Sequence, residues 1–425
     1  MKKMILGLAA FMVLLTGCEM KSGEELMKAP KLTGEQEVIS KAIKAQIPNN
    51  AKMVSPMSGD NKNAIQFCDL DNDGEDEVVV FYKEEDTQKP VTVKVLDRNG
   101  QQWESTYEIA GSGNEVDKIY YADVTGDKKK ELIIGWRLFD QTNKGVSIYK
   151  IGNNKKEIFG ASYSEMVMTD FDRNEVQELC VTQPKKDTAM QDMVLYRYHK
   201  DGVSEVSRMP INMGTDGRFN NMIFGNVNAN RRGVFLDLLV GEKSYTKVIG
   251  MENGALLSLF ETGEDIAQLR DVHEKCQDIN SDGIVEIPIV RAMPSYENVD
   301  SIVAENVVSW NIWQEGALLE VEKSFNNYID GYLLIYPAVW KNEEITVNRK
   351  NSQGENKIEF LMKVGFDYKP VLTIYSYYVK DLKNTDLEGK TEITRTLNNV
   401  YAVSATDLTG VDFDVIKNNF KIVSW

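Results

Sequence analysis

Acidic side chains recur in this sequence at fixed positions of a short loop. The first copy places Asp69, Asp71, Asp73 and Glu77 at positions 1, 3, 5 and 9, directly before the apolar run 78–82. Ca²⁺ takes about six to eight oxygen ligands, several of them carboxylates on a tight loop. The spacing therefore predicts a calcium site between two strands.

Three further loops carry oxygen side chains at the same four positions, at intervals of roughly 50 residues that are typical of a repeat protein. We number the loops 1 (69–77), 2 (123–131), 3 (170–178), 4 (226–234) and 5 (278–286). The predicted ligands are Asp123, Thr125, Asp127 and Glu131 in loop 2, Asp170, Asp172, Asn174 and Glu178 in loop 3, and Asp278, Asn280, Asp282 and Glu286 in loop 5. The alternative is a set of solvated acidic turns without metal, and the repetition favours metal.

Loop 4 is a degraded copy, with Asn226, Asn228 and Asn230 at positions 1, 3 and 5 and Val234 at position 9. It has no carboxylate at these positions, so we expect it to bind no cation. Glycine stands at position 6 of loops 1 and 5, where a sharp turn favours a positive φ. We therefore expect loops 1 and 5 to bind most strongly, followed by loop 2 and then loop 3.

The loops are not EF-hands. An EF-hand loop ends in a bidentate glutamate at position 12 and lies between helices. Position 12 is apolar in this chain, and the residues after each loop are rich in Val and Ile, which predicts strands. The position-12 residues are Val80, Ile134, Val181 and Ile289.

At these loops the chain resembles the FG-GAP/VCBS repeats, the integrin-α-like blades that carry a Ca²⁺ loop between their first two strands. The resemblance covers residues 63–326 and implies a mainly β protein, a β-propeller with five visible blades that could close with six or seven. In the second repeat the pattern predicts four strands, near 118–122, 132–137, 145–150 and 157–162. The resemblance implies no particular activity.

The N-terminus resembles a bacterial lipoprotein signal. A basic pair and an apolar run precede Leu15-Thr16-Gly17-Cys18, a lipobox-like sequence. We expect a signal peptide at 1–17, lipidation of Cys18, a tether at 18–32 and an amphipathic helix with a lead-in strand at 33–62. This predicts a lipid-anchored protein on the outer face of the cytoplasmic membrane, and the order of segments resembles VCBS-repeat lipoproteins of Gram-positive bacteria.

The loop pattern ends near residue 326, and residues 327–425 are predicted as a smaller α+β domain. Strands are expected at 344–349, 357–363, 371–379 and 399–405, with a helix at 412–420. The Tyr-Pro-x-x-Trp opening at Tyr336–Trp340 resembles PsbP-like α/β domains. A degenerate sixth blade followed by a tail is the alternative.

Composition narrows the function. A formal net charge of −16 argues against nucleic acid, which requires a basic footprint. The two histidines and four cysteines show no zinc spacing. Cys68 and Cys276 each precede a loop, and either a disulfide between neighbouring blades or two buried thiols would fit.

No catalytic constellation is visible, and the paired carboxylates are already assigned to the loops. The sequence therefore favours a non-enzymatic module that binds a glycan, peptide or protein partner at the propeller face. The alternative is a calcium-dependent carbohydrate-active enzyme such as a polysaccharide lyase. A central cleft with converging Arg, Lys and Tyr would favour the enzyme, and a flat or plugged face would favour binding.

Overall fold

Strands dominate the computed structural model, which describes residues 34–85, 90–100, 102–139, 143–152, 156–185, 190–200, 202–213, 218–259, 269–294, 305–314, 316–352, 355–406 and 410–423. Within these ranges the chain forms six antiparallel sheets of four or five strands and two α-helices. The protein is therefore mainly β, as predicted. The predicted signal peptide, the tether and Cys18 lie outside the described residues.

Successive sheets take successive stretches of the chain. Sheets 1 and 2 contain β1 (Ala51–Met53), β2 (Ile65–Cys68), β3 (Glu77–Glu84), β4 (Thr92–Asn99) and β5 (Gln102–Ala110), then β6 (Glu115–Ala122), β7 (Glu131–Arg137), β8 (Lys144–Lys150) and β9 (Lys156–Tyr163). Sheets 3 and 4 contain β10 (Met166–Thr169), β11 (Glu178–Pro184), β12 (Met190–His199) and β13 (Gly202–Asn212), then β14 (Phe219–Asn228), β15 (Arg231–Val240), β16 (Lys243–Glu252), β17 (Ala255–Ser258) and β18 (Arg270–Asp271). The four strands predicted for the second repeat are confirmed.

The last two sheets use the rest of the chain. Sheet 5 contains β19 (Ile287–Ala292), β20 (Asn306–Gln314), β21 (Ala317–Asn327), β22 (Tyr332–Ile335) and the terminal β28 (Phe420–Ile422). Sheet 6 contains β23 (Ile345–Ser352), β24 (Glu355–Val364), β25 (Asp367–Tyr378), β26 (Thr391–Arg395) and β27 (Asn399–Ala405). Since β21 pairs with β22, the domain boundary predicted at residue 327 falls inside sheet 5.

Consecutive sheets pack against each other through apolar side chains. On β7, Ile134 lies in a cluster shared with sheet 1, whereas its neighbour Ile133 lies in a cluster shared with sheet 3. Further clusters join sheets 3 and 4, 4 and 5, and 5 and 6. A strand buried on both faces has no solvated side to carry polar residues. This explains why the residues directly after loops 1, 2, 3 and 5 are apolar.

A β-bulge recurs at the same place in the four sheets that carry loops 1, 2, 3 and 5. It lies on the second strand after the loop, which we call the third strand of the repeat (β4, β8, β12 or β20), and interrupts its pairing with the next strand at Leu96, Tyr149, Tyr196 and Asn311. Bulges bend a strand and re-aim its side chains, and they are common beside functional sites. The bulge makes the sheets structural repeats and not only sequence repeats.

The helix α1 (Gly34–Gln46) packs on sheet 1, as the amphipathic pattern predicted. Ile39 and Ile43 are buried against Val78 and Val80. Lys94 donates a hydrogen bond of 2.5 Å to the Gln46 carbonyl at the end of the helix, where a cation is favourable. No helix in the described ranges has the length and apolar character needed to cross a bilayer.

The C-terminal region contains a large aromatic core beneath sheet 6. Trp340, Phe360 and Tyr401 are buried there, and Tyr332 stacks on Phe420 with ring centroids 4.9 Å apart. The helix α2 (Phe413–Asn419) leads into β28. The predicted strands and terminal helix are therefore present, with β26 in addition.

A buried ion pair fixes the approach to loop 5. Arg270 donates to Asp237 at 2.6 Å, and these side chains are 0% and 1% exposed. Thr246 and the backbone N–H of Cys276 also donate to this carboxylate, and Arg270 donates to the Glu274 carbonyl. The pair thus joins strands β15, β16 and β18 to the segment before loop 5. Cys276 is a free thiol, as are Cys68 and Cys180, so these described cysteines form no disulfide.

We predict that Arg270→Met destabilises the protein strongly, because it leaves the Asp237 carboxylate buried without its cation. Breaking a buried pair in this way costs about 3–5 kcal/mol of the free energy of unfolding. Urea unfolding followed by tryptophan fluorescence measures the loss. The double variant Arg270→Met/Asp237→Leu should recover most of it.

The control is Lys41→Ala, which removes an exposed ion pair with Glu37 on α1. Exposed pairs contribute little, so its urea midpoint should match that of the unmodified protein. If Arg270→Met also left the midpoint unchanged, the buried pair would have no structural role.

Candidate functional site

The ninth residue of each acidic loop is a buried glutamate that starts the following strand. Glu77, Glu131, Glu178 and Glu286 are between 0% and 4% exposed. In each loop the carboxylate accepts a hydrogen bond from the backbone N–H of the second loop residue, at 2.5 Å in loop 1, 3.0 Å in loop 2 and 2.9 Å in loop 5. This contact folds the loop back onto its own strand.

The four acidic loops share one backbone shape. Positions 4 and 6 adopt positive φ in every one of them. The residues are Asn72 and Gly74, Gly126 and Lys128, Arg173 and Glu175, and Ser281 and Gly283. Lys128 and Glu175 therefore adopt at position 6 the left-handed conformation that favours glycine. The expectation that loops 2 and 3 bind less strongly than loops 1 and 5 stays a prediction.

The loops differ in the side chain that faces the buried glutamate from the third strand. This residue directly follows the bulge and is Asp97, Lys150, Arg197 or Ile312 in sheets 1, 2, 3 and 5. In loop 2, Lys150 contacts Asp127 at 2.6 Å and Thr125 at 3.3 Å.

In loop 3, Arg197 takes the equivalent position and bonds to Glu178 at 2.5 Å and to Asp172 at 3.2 Å. In loops 2 and 3 a protein cation thus lies where the sequence predicted a metal.

Loops 1 and 5 have no such cation on the third strand, and the carboxylates converge there. One carboxylate oxygen each from Asp69, Asp71 and Glu77 lie within 4.8 Å of one another, as do those of Asp278, Asp282 and Glu286. Among the described residues these are the two groups with the spacing of a metal site. The predicted ligand Asp73 lies outside the first group and accepts a backbone N–H within its own loop, as the side-chain oxygen of Asn280 does in loop 5.

The buried glutamate of loop 5 carries an unsatisfied oxygen. Glu286 is 0% exposed, and its Oε1 atom has no hydrogen-bond partner. The Oδ1 atom of Asp71 in loop 1 is also buried without a partner. A buried carboxylate oxygen without a partner costs free energy, and a bound cation would remove that cost. The residues of loops 1 and 5 therefore fit a hard divalent cation.

In front of loop 1 lies a cavity of about 570 Å³, lined in part by Asp71, Glu77 and Asp97. Asp97, on β4, places a carboxylate oxygen beside loop 1. The equivalent strand position beside loops 2 and 3 holds a basic residue instead.

Loop 4 is a tight hairpin instead of a coordination loop. Asn228 pairs with Arg231, and its side-chain oxygen accepts the backbone N–H groups of Asn230 and Arg231, both at 3.0 Å. Arg232 attaches loop 4 to loop 3 by donating to the Asp170 carboxylate at 2.9 Å.

The five loops lie side by side, and each contacts the one before it. The contacts are Lys130 N–H to Leu70 O at 2.7 Å, Gln177 N–H to Asp123 O at 2.8 Å, Arg232 Nη1 to Asp170 O at 2.6 Å and Val285 N–H to Asn226 O at 2.9 Å. The sequence could not show this, since each contact joins residues more than 50 positions apart. Loops 1 and 5 form the two ends of the row.

A second candidate site is a cleft of about 680 Å³ between the first strands of sheets 2, 3 and 4. Its charged lining residues are Lys62, Lys118, Arg137, Lys144, Lys275, Asp60, Asp117 and Glu165. Several are paired, with Lys118 bonded to Glu165 at 2.9 Å and Lys144 bonded to Asp117 at 3.1 Å. Sequence reasoning missed these residues because no motif links them.

Known proteins provide little guidance. The chain matches no protein-family model and no curated protein. Among solved structures it is similar to rhamnogalacturonan lyase YesW, at 11% identity over 73% of this chain and 74% of that chain with a TM-score of 0.34. It is also similar to Sqt1 of Saccharomyces cerevisiae (11% identity, 78% and 92% covered, TM-score 0.34) and of Chaetomium thermophilum (10% identity, 84% and 98% covered, TM-score 0.33). Likeness at this level carries no argument about architecture or function.

Burial, together with neighbouring carboxylates, raises the pKa of Glu77, Glu131 and Glu286 to about 7, although the backbone N–H bond opposes the shift. The ordinary value is 4.5. The folded state then binds more protons than the unfolded state between these two values. The stabilisation is complete below the unfolded pKa and is lost as the pH rises through the folded pKa.

We therefore predict that, with chelator present, the free energy of unfolding falls as the pH rises from about 4.5 to about 7. Denaturant melts at a series of pH values measure the slope. Glu77→Gln should make it shallower, because the amide does not titrate.

Glu75→Gln, an exposed change in the same loop, is the control and should leave the slope as it was. A stability that rises with pH across this window would contradict the burial argument.

Proposed function

We propose that the protein is a membrane-anchored extracellular lipoprotein whose β-propeller is stabilised by calcium and binds a glycan, peptide or protein partner. The propeller is supported by six consecutive antiparallel sheets that pack face to face and by the row of loops along one end. The proposal of a metal rests chiefly on Glu286, whose buried oxygen lacks a partner beside Asp278 and Asp282.

Calcium is the cation that suits this donor set. The donors are carboxylate oxygens, with neither the His nor the Cys ligands that zinc prefers. Extracellular calcium modules bind at about 10⁻⁴–10⁻³ M, a range that suits a structural ion. We infer two ions per chain, at loops 1 and 5, because Lys150 and Arg197 supply the positive charge in loops 2 and 3.

We predict that chelator lowers the melting temperature. At 100 times its dissociation constant, calcium stabilises the folded state by about 2.7 kcal/mol per site, which is a few degrees in a protein of this size. Asp71→Ala or Asp282→Ala should each remove part of the calcium-dependent shift, and calorimetry should count one ion fewer. Asn228→Ala, the matched change in loop 4, should leave the shift intact.

The same experiment tests the role of the protein cations. Lys150→Met should free Asp127 and Glu131 for metal and raise the count to three, whereas Lys156→Met, an exposed change in the same sheet, should leave it at two. A melting curve insensitive to chelator, with no calcium detected by calorimetry, would leave the loops as solvated turns.

The proposed anchor is Cys18, which follows the lipobox-like sequence. We predict that the unmodified protein fractionates with membranes and that Cys18→Ala does not, because two or more acyl chains are needed for firm attachment. Cell fractionation with immunoblotting measures this. If both proteins behaved alike, in either fraction, the lipid anchor would be refuted.

The cleft provides a specific observation in favour of the second candidate, a carbohydrate-active enzyme, because Lys, Arg and Tyr do converge there. The candidate bases are nevertheless engaged. Burial raises the pKa of Tyr120, and its hydroxyl donates to the Met166 carbonyl at 3.2 Å. Lys118 and Lys144 are both held in ion pairs with Glu165. Binding therefore remains the better supported function, and an assay for unsaturated products from uronate polymers separates the two.

A further inference from the structure

We propose that the cleft between the first strands of sheets 2, 3 and 4 binds an anionic oligosaccharide, a sugar chain that carries carboxylate or phosphate groups. This assignment rests on the proposed binding function and names its ligand class. It follows from how the cleft is walled, from its charge and from its size.

One wall is the segment 58–62, which is bound along β6. The Met57 and Ser58 N–H groups donate to the Val116 and Asp117 carbonyls at 3.1 and 2.8 Å, and Asn61 donates to the Ile119 carbonyl at 3.4 Å. The other walls are β10 and β14, with Lys275 at the rim. Because regular strands and bonded backbone form the walls, the cleft keeps its shape without a ligand.

The side chains that line the cleft carry a net positive charge, whereas the whole molecule is negatively charged. Five basic side chains line it against three acidic ones, whereas the whole chain carries −16. A cleft lined with one excess charge concentrates the field and attracts the opposite ion. Lys62 and Lys275 are exposed, and neither makes an ion pair with another described residue. They are therefore available to an anion from solvent.

The inner cations are held in fixed positions by the protein. Asp117 is 1% exposed and accepts bonds from the Tyr163 hydroxyl at 2.7 Å and from Lys144 at 3.1 Å, with Arg137 at 3.5 Å. A fixed cation loses little side-chain entropy when a ligand arrives. The network thus supplies a preorganised positive floor.

The size favours an oligosaccharide over a folded partner. Ligand clefts usually measure about 300–1,000 Å³, and this one is about 680 Å³. Phe219 and Phe224 add half-buried aromatic surface beside the charges, which suits the apolar face of a sugar ring. A protein surface would need a broader and flatter area.

The test is titration calorimetry on the calcium-saturated full chain with three probes: tetragalacturonate, singly phosphorylated maltotetraose and neutral maltotetraose. At least one anionic probe should bind and the neutral probe should not. The two anionic probes distinguish carboxylate from phosphate as the source of charge. Binding should weaken as salt is added, because exposed charges are screened.

The variant Lys62→Glu/Lys275→Glu reverses the two rim charges and should weaken binding of the anionic probe about tenfold or more. Lys156→Glu/Lys200→Glu makes the same charge change at exposed positions outside the cleft lining and should bind normally. Both variants should keep the calcium-dependent melting shift, which reports the proposed metal sites separately.

Binding of the neutral probe alone, equal weakening in both double variants or no binding of any probe would each overturn the assignment of an anionic ligand. A persistent calcium shift in those cases would leave the proposed metal sites standing. Loss of the calcium shift with anionic binding intact would reject the metal and keep the cleft.

Discussion

A buried carboxylate fixes the conformation of each acidic loop. The ninth loop residue holds the backbone N–H of the second, and this hydrogen bond keeps the loop on its strand. A buried carboxylate is costly unless its charge is met. The chain meets that charge in different ways: Lys150 and Arg197 in loops 2 and 3, an oxygen cluster suited to a cation in loops 1 and 5, and no carboxylate in loop 4.

The way in which each loop balances its carboxylate charge depends on the position of that loop in the row. Loops 2, 3 and 4 each have a neighbour on both sides, and basic side chains hold them, with Arg232 joining loop 4 to loop 3. Loops 1 and 5 are the ends of the row. Loop 5 is instead held by the terminal strand, where Lys421 donates to the Ile279 carbonyl. A cation at these ends would stabilise the first and last members of the row.

Local features were predictable and non-local ones were not. The repeat spacing and the apolar runs predicted the loops and the strands after them, because loop and strand signals are short-range. The ligand ranking used glycine at position 6, also a local signal. The deciding residue, Lys150 or Arg197, lies about 20 positions further on and depends on strand register and a bulge. The boundary predicted at 327 divides sheet 5, because β21 pairs with β22 across it, and β28 joins the same sheet from about 85 residues further along the chain.

The cleft and the candidate metal sites lie in different parts of the repeats, so different residues hold each of them in place. The strands β6, β10 and β14 line the cleft and lead into loops 2, 3 and 4. The protein's own side chains, those of Lys150, Arg197 and Arg232, supply the positive charge at these three loops. Sheets 1 and 5, which carry the metal candidates, contribute only the segment 58–62 and the region near Lys275 to the cleft. The walls of the cleft that lie on β6, β10 and β14 are therefore fixed by protein contacts that do not involve the candidate metal loops.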